Sequence, residues 1–232
     1  GKMPSFDFTT DIKMAHLYEL NFDKSEESQI VCATIIMNGT GNTIDNFNGE
    51  VIAREVSYYL RGKDYFFDSV HVTSTNDTES HDLSVYSSFA DLSIDGSFSL
   101  EELPDAFYAL AGTILPSVFP VRDDIFLEEE DFSFFVDVKD LSVVAELFFP
   151  ELKVAEHAQL NGVYETSHQD LAFNLNAQWL EYGDYRFDKL HVETERFFDL
   201  YEFSVTAGEF HLNDSVSLDN FKAITALFLP PT

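Results

Sequence analysis

The chain has 232 residues, with 42 Asp or Glu against 13 Lys or Arg, and a formal net charge of −29. This acidic balance excludes nucleic acid as a partner, because phosphate binding needs a basic face, and it disfavours electrostatic docking to an anionic membrane. Hydrophobic residues make up 45% of the chain and include 24 Phe, so a large core can be buried. The single cysteine, Cys32, excludes an intramolecular disulfide and a four-cysteine zinc site.

The first half of the chain reads as strands followed by a helix. Phe6, Phe8 and Ile12 belong to an alternating apolar stretch, which predicts a half-buried strand. Turn signals such as Asn38-Gly39 then separate further strand-like runs and predict an antiparallel meander. A helix is predicted over about 100–115, because Ser99 can cap it and Pro116 ends it.

The second half repeats this organisation. Large apolar side chains occupy every second position in two stretches: Phe132, Phe134, Val136 and Val138, then Leu171, Phe173, Leu175, Ala177 and Trp179. A short helix is predicted over about 141–149, and a longer one over about 218–229, opened by Ser217 and closed by Pro230. The elements together predict a mainly β fold with short helices.

An internal repeat supports a division into two tandem units. The segment Asp64–Val72 reads DYFFDSVHV, and Asp184–Val192 reads DYRFDKLHV, at an offset of 120 residues. Shorter matches join 6–13 to 132–139 and 97–100 to 215–218. Repeated supersecondary units of this kind stack on one another, so we expect a first unit over 1–122 and a second over 123–232.

One motif has the spacing of a calcium loop. Asp91, Ser93, Asp95 and Glu102 occupy positions 1, 3, 5 and 12 of an EF-hand pattern. The preceding segment alternates like a strand, and the second repeat has lost the matching glycine and glutamate. We therefore favour a hairpin turn leading into a capped helix, and keep a calcium-binding module as an alternative.

The remaining polar motifs give no catalytic constellation. His71 and His191 recur at the same repeat position, and we interpret them as strand histidines on a polar face. Phosphate-binding loops, dinucleotide-binding glycine motifs, nucleophile elbows and zinc-hydrolase spacings do not occur in the sequence. None of these motifs therefore supports an enzyme of the corresponding class.

The apolar strand faces are the main functional signal. They can form a sandwich core, which composition alone favours, or an open groove that holds lipid tails. The candidate groove residues are Phe6, Phe8, Ile12, Phe132, Phe134, Val136, Val138, Leu171, Phe173, Leu175, Trp179, Phe203 and Val205.

The order of these motifs resembles a known family. An alternating FxFxxDΦK strand, an Asn-Gly turn, the DYxFDxΦHV strand and SΦSL before a helix are similar to the repeated middle region of TamB-type translocation and assembly module proteins, in the AsmA-like group. The segment 147–154, followed by Asn161-Gly162, looks like the short-helix connection of that family. The resemblance covers most of the chain and carries over no catalytic residue, and it implies a protein that is not an enzyme and needs no cofactor.

The resemblance implies an elongated, curved antiparallel sheet of β-taco type with an apolar inner surface. It further implies a segment of a periplasm-spanning protein, anchored in the inner membrane of a Gram-negative bacterium, that carries phospholipid toward the outer membrane. Its expected partners are phospholipid acyl chains and an outer-membrane assembly protein of the BamA type. Two alternatives stay open: an interaction scaffold that receives outer-membrane protein strands by strand addition, and a ligand-binding β-sandwich or calcium-binding module.

Overall fold

A computed structural model of the chain describes residues 3–19, 29–77, 80–103, 105–108, 130–165, 170–197, 200–213 and 215–228. These residues form one open, curved antiparallel sheet of thirteen strands, which confirms the predicted mainly β fold. The strands are β1 Ser5–His16, β2 Ile30–Thr40, β3 Asn48–Leu60, β4 Lys63–Asn76, β5 His81–Ser87, β6 Ala90–Ser97, β7 Asp131–Val138, β8 Leu152–Val154, β9 Gln159–Glu165, β10 Asp170–Tyr182, β11 Tyr185–Phe197, β12 Leu200–Asn213 and β13 Val216–Phe228.

The sheet is a meander in which successive strands are neighbours, as the recurring turn signals predict. The exception is β8, which pairs with the second half of β10, while β9 pairs with both β7 and the first half of β10. The predicted boundary between residues 122 and 123 lies outside the described residues. The strands on its two sides, β6 and β7, pair directly, so both halves of the chain contribute to one sheet.

Unequal strand lengths leave a notch along one border of the sheet. Only the 70–76 half of β4 pairs with β5, and β5, β6 and β7 are shorter than the strands on either side. The helix Ser142–Phe148, which confirms the one predicted over about 141–149, lies at this notch. It contacts β8, and its Glu146 forms an ion pair with Lys63 at the β3–β4 hairpin, so it bridges the two sides of the notch.

The other two predicted helices fare differently. Ser99 caps a helical segment as predicted: its hydroxyl oxygen accepts a hydrogen bond from the Glu102 N–H at 3.3 Å, and residues 103 and 105–108 are helical. Residues 109–115 of that helix lie outside the described residues. The helix predicted over about 218–229 is wrong, because residues 218–228 belong to β13, and residue 229 lies outside the described residues.

The physical reason lies in a row of residues that crosses β10 to β13. Lys189 and Asn220 have left-handed φ angles of 53° and 52°, and a residue in this conformation interrupts the two-residue alternation of a strand. Phe187 and Leu190 therefore both pack in the core although they are three residues apart. In β13 the same effect puts Leu218 and Phe221 on one face, so this strand lacks the regular alternation by which strands are recognised.

The core lies on one face of the sheet. Its buried side chains come mainly from the middle strands and include Leu83, Ile94, Phe132, Phe134, Phe173, Leu190 and Val192. The helical segment that follows Ser99 packs on this face, with Leu103 and Ala106 buried. The ring of Phe107 lies 5.9 Å from that of Phe134. The segment therefore covers part of the apolar face, one of the roles the sequence allowed for it.

Candidate functional site

One row of directly paired residues is apolar across the whole sheet. It takes one residue from every strand except β8, and each residue pairs with the next through the strand ladder. We call this row the apolar strip: Phe8, Met37, Val51, Val72, Val85, Leu92, Val136, Leu160, Leu175, Val192, Val205 and Ala223. At a strand spacing of about 4.8 Å, the strip is roughly 50 Å long.

The strip is reachable from solvent over most of its length. Only Val192 is buried, whereas the other inner members are half-buried and the end members Phe8 and Ala223 are exposed. The helical segment after Ser99 packs against Phe132 and Phe134, which lie on the same strand as Val136 but nearer its start. The strip is thus an apolar path beside the packed core.

A second row, beside the strip, places a glycine between two large rings. Gly162 of β9 lies between Phe134 of β7 and Phe173 of β10. A Cβ atom added at Gly162 would lie 2.6 Å from the Ala172 carbonyl oxygen and 2.7 Å from the ring of Phe134. The missing side chain lets the Phe134 ring lie over β9 and gives this flank its close packing.

The opposite face of the sheet is mainly polar. The row next to the strip contains Asp7, Asn38, Glu50, Thr73, Ser84, Ser93, Asn161, Asn174, Glu193 and Ser204, with Phe135 and Ile224 as its apolar members. His71 and His191 lie on this face too, beside Glu50 at 3.1 Å and Glu193 at 3.2 Å. Their interpretation as polar-face histidines is confirmed.

Most candidate groove residues lie on the apolar face. The buried ones are Phe132, Phe134, Val138, Leu171 and Phe173, and the half-buried ones that pack against them are Val136, Leu175, Phe203 and Val205. At the β1 border, Phe6 and Ile12 are half-buried and Phe8 is exposed, and their partners in β2 are Gly39, Ala33 and Met37. Some of these residues are buried in the core, and others form an apolar surface that is partly accessible to solvent. The interpretation as a core and the interpretation as an open groove therefore each describe part of the sheet.

Trp179 does not share that face, contrary to the alternation of its stretch. The guanidinium of Arg186 lies 5.1 Å from the centre of its ring, and Arg186 binds Asp188, the cross-strand partner of Trp179. The next residue, Leu180, packs on the core instead. The alternation has shifted beside Lys189, so period-two counting assigns Trp179 to the wrong face.

The calcium loop is contradicted by the backbone. Asp91, Ser93 and Asp95 lie in β6, an extended strand, and the favoured hairpin turn at this place is wrong as well. Asp91 binds Lys139 at 2.6 Å, and a hydrogen bond to Asp95 raises the pKa of Asp82 on the neighbouring strand. Glu102 follows the Ser99 cap, outside any calcium loop. Asp91, Ser93 and Asp95 are therefore side chains on the polar face of a strand and not ligands of a loop.

A charged cluster on the outer face of β11 and β12 could hold a cation. Ligand atoms of Asp188, Glu209 and His211 lie within 4.8 Å of one another. Arg186 already donates to both oxygens of Asp188, and its guanidinium lowers the pKa of that carboxyl. Because the Arg186 guanidinium already occupies the oxygens of Asp188, this cluster is better described as an internal ion-pair network.

A buried polar group on the apolar face has no sequence signature. The Ser74 hydroxyl donates to the Phe47 carbonyl at 2.8 Å, so the Ser74 oxygen accepts from the Nε2–H of His81, 2.8 Å away. The His81 ring stacks on Phe98 at 4.5 Å. Nearby, burial and the charge of Glu130 raise the pKa of Tyr164. These groups fix the border of the core.

Periodicity alone also does not identify most residues of the apolar strip. Met37, Val51, Val72, Val85, Leu92, Leu160 and Val192 are ordinary strand residues whose common row appears only when the register of each hairpin is known. The turn of each hairpin fixes its register, so counting residues outward from each predicted turn could have identified this row.

In the part of the chain that the structure describes, no helix is long and apolar enough to cross a membrane. Comparison with protein-family models, curated proteins and solved structures gives no match for this chain.

Proposed function

We propose that this chain is a non-enzymatic lipid-carrying segment, in which phospholipid acyl chains lie against the apolar strip. The observation that carries the proposal is the unbroken row of apolar residues from Phe8 to Ala223. A row that served only to fill a core would be buried throughout, whereas this one stays half-buried along most of its length.

The physical requirements of an acyl chain fit such a surface. Hydrocarbon gains about 25 cal/mol for each Å² of apolar area removed from water and needs no directed hydrogen bond. A strip of roughly 50 Å exceeds the ~30 Å hydrocarbon thickness of a bilayer, so it can take a tail at many successive positions. The polar opposite face and the net charge of −29 keep the sheet in water while the apolar face is occupied.

The cellular setting of the proposal rests on the resemblance to TamB-type proteins. In that setting the chain is part of a periplasm-spanning protein anchored in the inner membrane. It would pass phospholipid toward the outer membrane and cooperate there with an assembly protein of the BamA type.

Neighbouring residues on β2 allow a matched test. Met37 lies on the strip and is half-buried, and Asn38 points to the polar face. After incubation with phospholipid vesicles, native mass spectrometry should show lipid bound to the unaltered chain and to Asn38→Glu. Met37→Glu should bind at least several-fold less, because a carboxylate in the path must be desolvated before a tail can lie over it.

Equal lipid binding by Met37→Glu and Asn38→Glu, with both variants folded by circular dichroism, would contradict the proposal. The site is chosen near the β1 border because the core residue Phe134 is buried, so a charge there would unfold the chain rather than test the path.

A second function is favoured by the borders of the sheet. Among the described strands, β1 pairs only with β2 and β13 only with β12, so each offers backbone groups to an added strand. An unfolded outer-membrane β-barrel chain is then expected to slow amide hydrogen exchange in one of these border strands. Unchanged exchange in both strands would remove this candidate.

A further inference from the structure

A cavity of about 420 Å³ lies where the helix Ser142–Phe148 closes the notch of the sheet. Its apolar walls are Leu141, Ala145, Pro150, Leu152, Val154 and Trp179. Two of these residues, Leu141 and Val154, also pack against the buried core of the apolar face. Through these two residues the cavity borders the core of the apolar face, whereas Trp179 lines it from the opposite face.

Most charged groups in the cavity wall are already neutralised. The ammonium of Lys139 donates to Asp91 at 2.6 Å, and that of Lys153 donates to Glu181 at 3.2 Å. The carboxylate of Glu146 is bound by Lys63. These three ion pairs contribute no net charge to the wall.

Two carboxylates of the wall remain uncompensated. Among the described residues, no Lys, Arg or His forms an ion pair with Asp140 or Glu156. The Ser142 N–H donates to Asp140 at 3.0 Å, and hydrogen bonds from the Ser142 hydroxyl and N–H lower the pKa of this carboxyl. Asp140 is thus held ionised and in a fixed orientation at the start of the helix.

A cavity with apolar walls and surplus carboxylates selects its ligand by charge. In a chain with a net charge of −29, an isolated phosphate or carboxylate is repelled, and a positively charged group is attracted. The wall shared with the core suits the hydrocarbon part of the same molecule. The expected ligand is an amphiphile with a positively charged nitrogen at its polar end.

We propose that this cavity binds the ammonium group of a lipid headgroup, with Asp140 and Glu156 facing the charge and with Leu141 and Val154 leading its hydrocarbon toward the apolar face. This inference rests on the proposed lipid carriage and extends it, because it assigns a place to the headgroup of the same ligand and a preference for ammonium-bearing lipids.

Trp179 is the only tryptophan of the chain and lines the cavity, so its fluorescence reports occupancy directly. The probes are hexyltrimethylammonium, hexyl sulfate, choline and dihexanoylphosphatidylcholine, each below its micelle concentration at neutral pH. Hexyltrimethylammonium and dihexanoylphosphatidylcholine should shift the emission saturably. Hexyl sulfate should bind about tenfold more weakly, the difference that two partly exposed charge contacts supply.

The double variant Asp140→Asn with Glu156→Gln should abolish the preference for ammonium over sulfate. A matched control, Asp7→Asn with Asp219→Asn, removes two exposed carboxylates from the border strands and should keep it. Glu156→Gln alone, in an exposed loop position, should reduce the preference without touching the hydrogen bond at Asp140 and so tests the assignment if the double variant folds poorly.

Equal affinity for hexyltrimethylammonium and hexyl sulfate, or an unchanged preference in the Glu156→Gln variant, would overturn the inference. Choline binding as tightly as dihexanoylphosphatidylcholine would also overturn it, because the ligand would then be a small quaternary ammonium ion rather than a lipid. Each failure is distinct from failure of lipid carriage, since lipid binding that depends on Met37 would persist while the cavity showed no ammonium preference.

Discussion

Gly162 illustrates how the packing of the apolar face depends on single atoms. It sits between the rings of Phe134 and Phe173, and its φ is not left-handed, so a substitution there tests space alone. Gly162→Ala is expected to lower the free energy of unfolding by about 1–3 kcal/mol, because the new Cβ overlaps a backbone oxygen and a fixed ring. Urea unfolding followed by circular dichroism measures the change.

Gly208→Ala is the matched control for this prediction. Its Cβ would meet the flexible Lys189 side chain at 3.1 Å, which can move aside. The expected loss is below about 1 kcal/mol. Equal losses in the two variants would show that the gap at Gly162 is not required.

Tyr164 predicts how stability changes at alkaline pH. Burial, followed by the nearby Glu130 charge, raises the pKa of its phenol in the folded chain. An unfolded tyrosine ionises near pH 10, so the folded chain holds the proton more tightly, and this contribution to stability is complete below about pH 10. It is lost as the pH rises through the higher pKa of the folded state.

Tyr164→Phe should therefore lose less stability than the unaltered chain between about pH 9 and 11, measured as the change in urea midpoint with pH. Tyr185→Phe, which removes the hydroxyl of a half-exposed ring, serves as the control. If Tyr164→Phe and the unaltered chain have the same dependence on pH, the hydroxyl of Tyr164 does not ionise with a raised pKa.

At the scale of the elements, sequence patterns predicted strands well wherever side chains alternate without interruption. Phe132 to Val138 and Leu171 to Ala177 are such runs, and both are strands with one buried face. The prediction is wrong at β13, where Ser217 and Pro230 have the positions of helix end signals and the left-handed Asn220 interrupts the alternation that indicates a strand. The left-handed conformation, which composition does not reveal, occurs at Asn220 in the strand predicted as a helix and at Lys189 beside Trp179, whose face is predicted wrongly.

The helix Ser142–Phe148 is an element whose stability comes from its place in the notch. Ala145 is buried there, whereas the ion pair of Glu146 with Lys63 is about half exposed. Ala145→Asp should lower the free energy of unfolding by more than about 2 kcal/mol, because it buries a charge. Glu146→Ala should cost less than about 0.5 kcal/mol, the usual value of an exposed ion pair.

Denaturant unfolding of the two variants, together with amide exchange over residues 142–154, checks this prediction. The opposite ranking, with Glu146→Ala the more damaging, would mean that the ion pair to the β3–β4 hairpin rather than packing holds the helix in the notch.

At the scale of the whole molecule, the sheet separates its composition into two faces. Among the described residues, apolar side chains form the core and the apolar strip, and acidic side chains such as Asp7, Glu50 and Glu193 lie on the other face. This separation lets one chain combine 24 Phe with a net charge of −29. The sequence indicated that such a face exists. It could not show which residues line up across the strands, since register depends on the turns and on the shift beside Lys189.

Mapping acyl chains on the sheet tests the proposed lipid carriage at this scale. Vesicles containing phospholipid with a diazirine in the acyl chain are mixed with the chain and irradiated, and labelled residues are identified by mass spectrometry. Labels should fall on strip residues from Met37 to Val205 and be absent from their polar-face neighbours, such as Asn38 and Ser204. Equal labelling of both faces, or labels confined to the border strands β1 and β13, would contradict the proposal that lipid tails lie along the apolar strip.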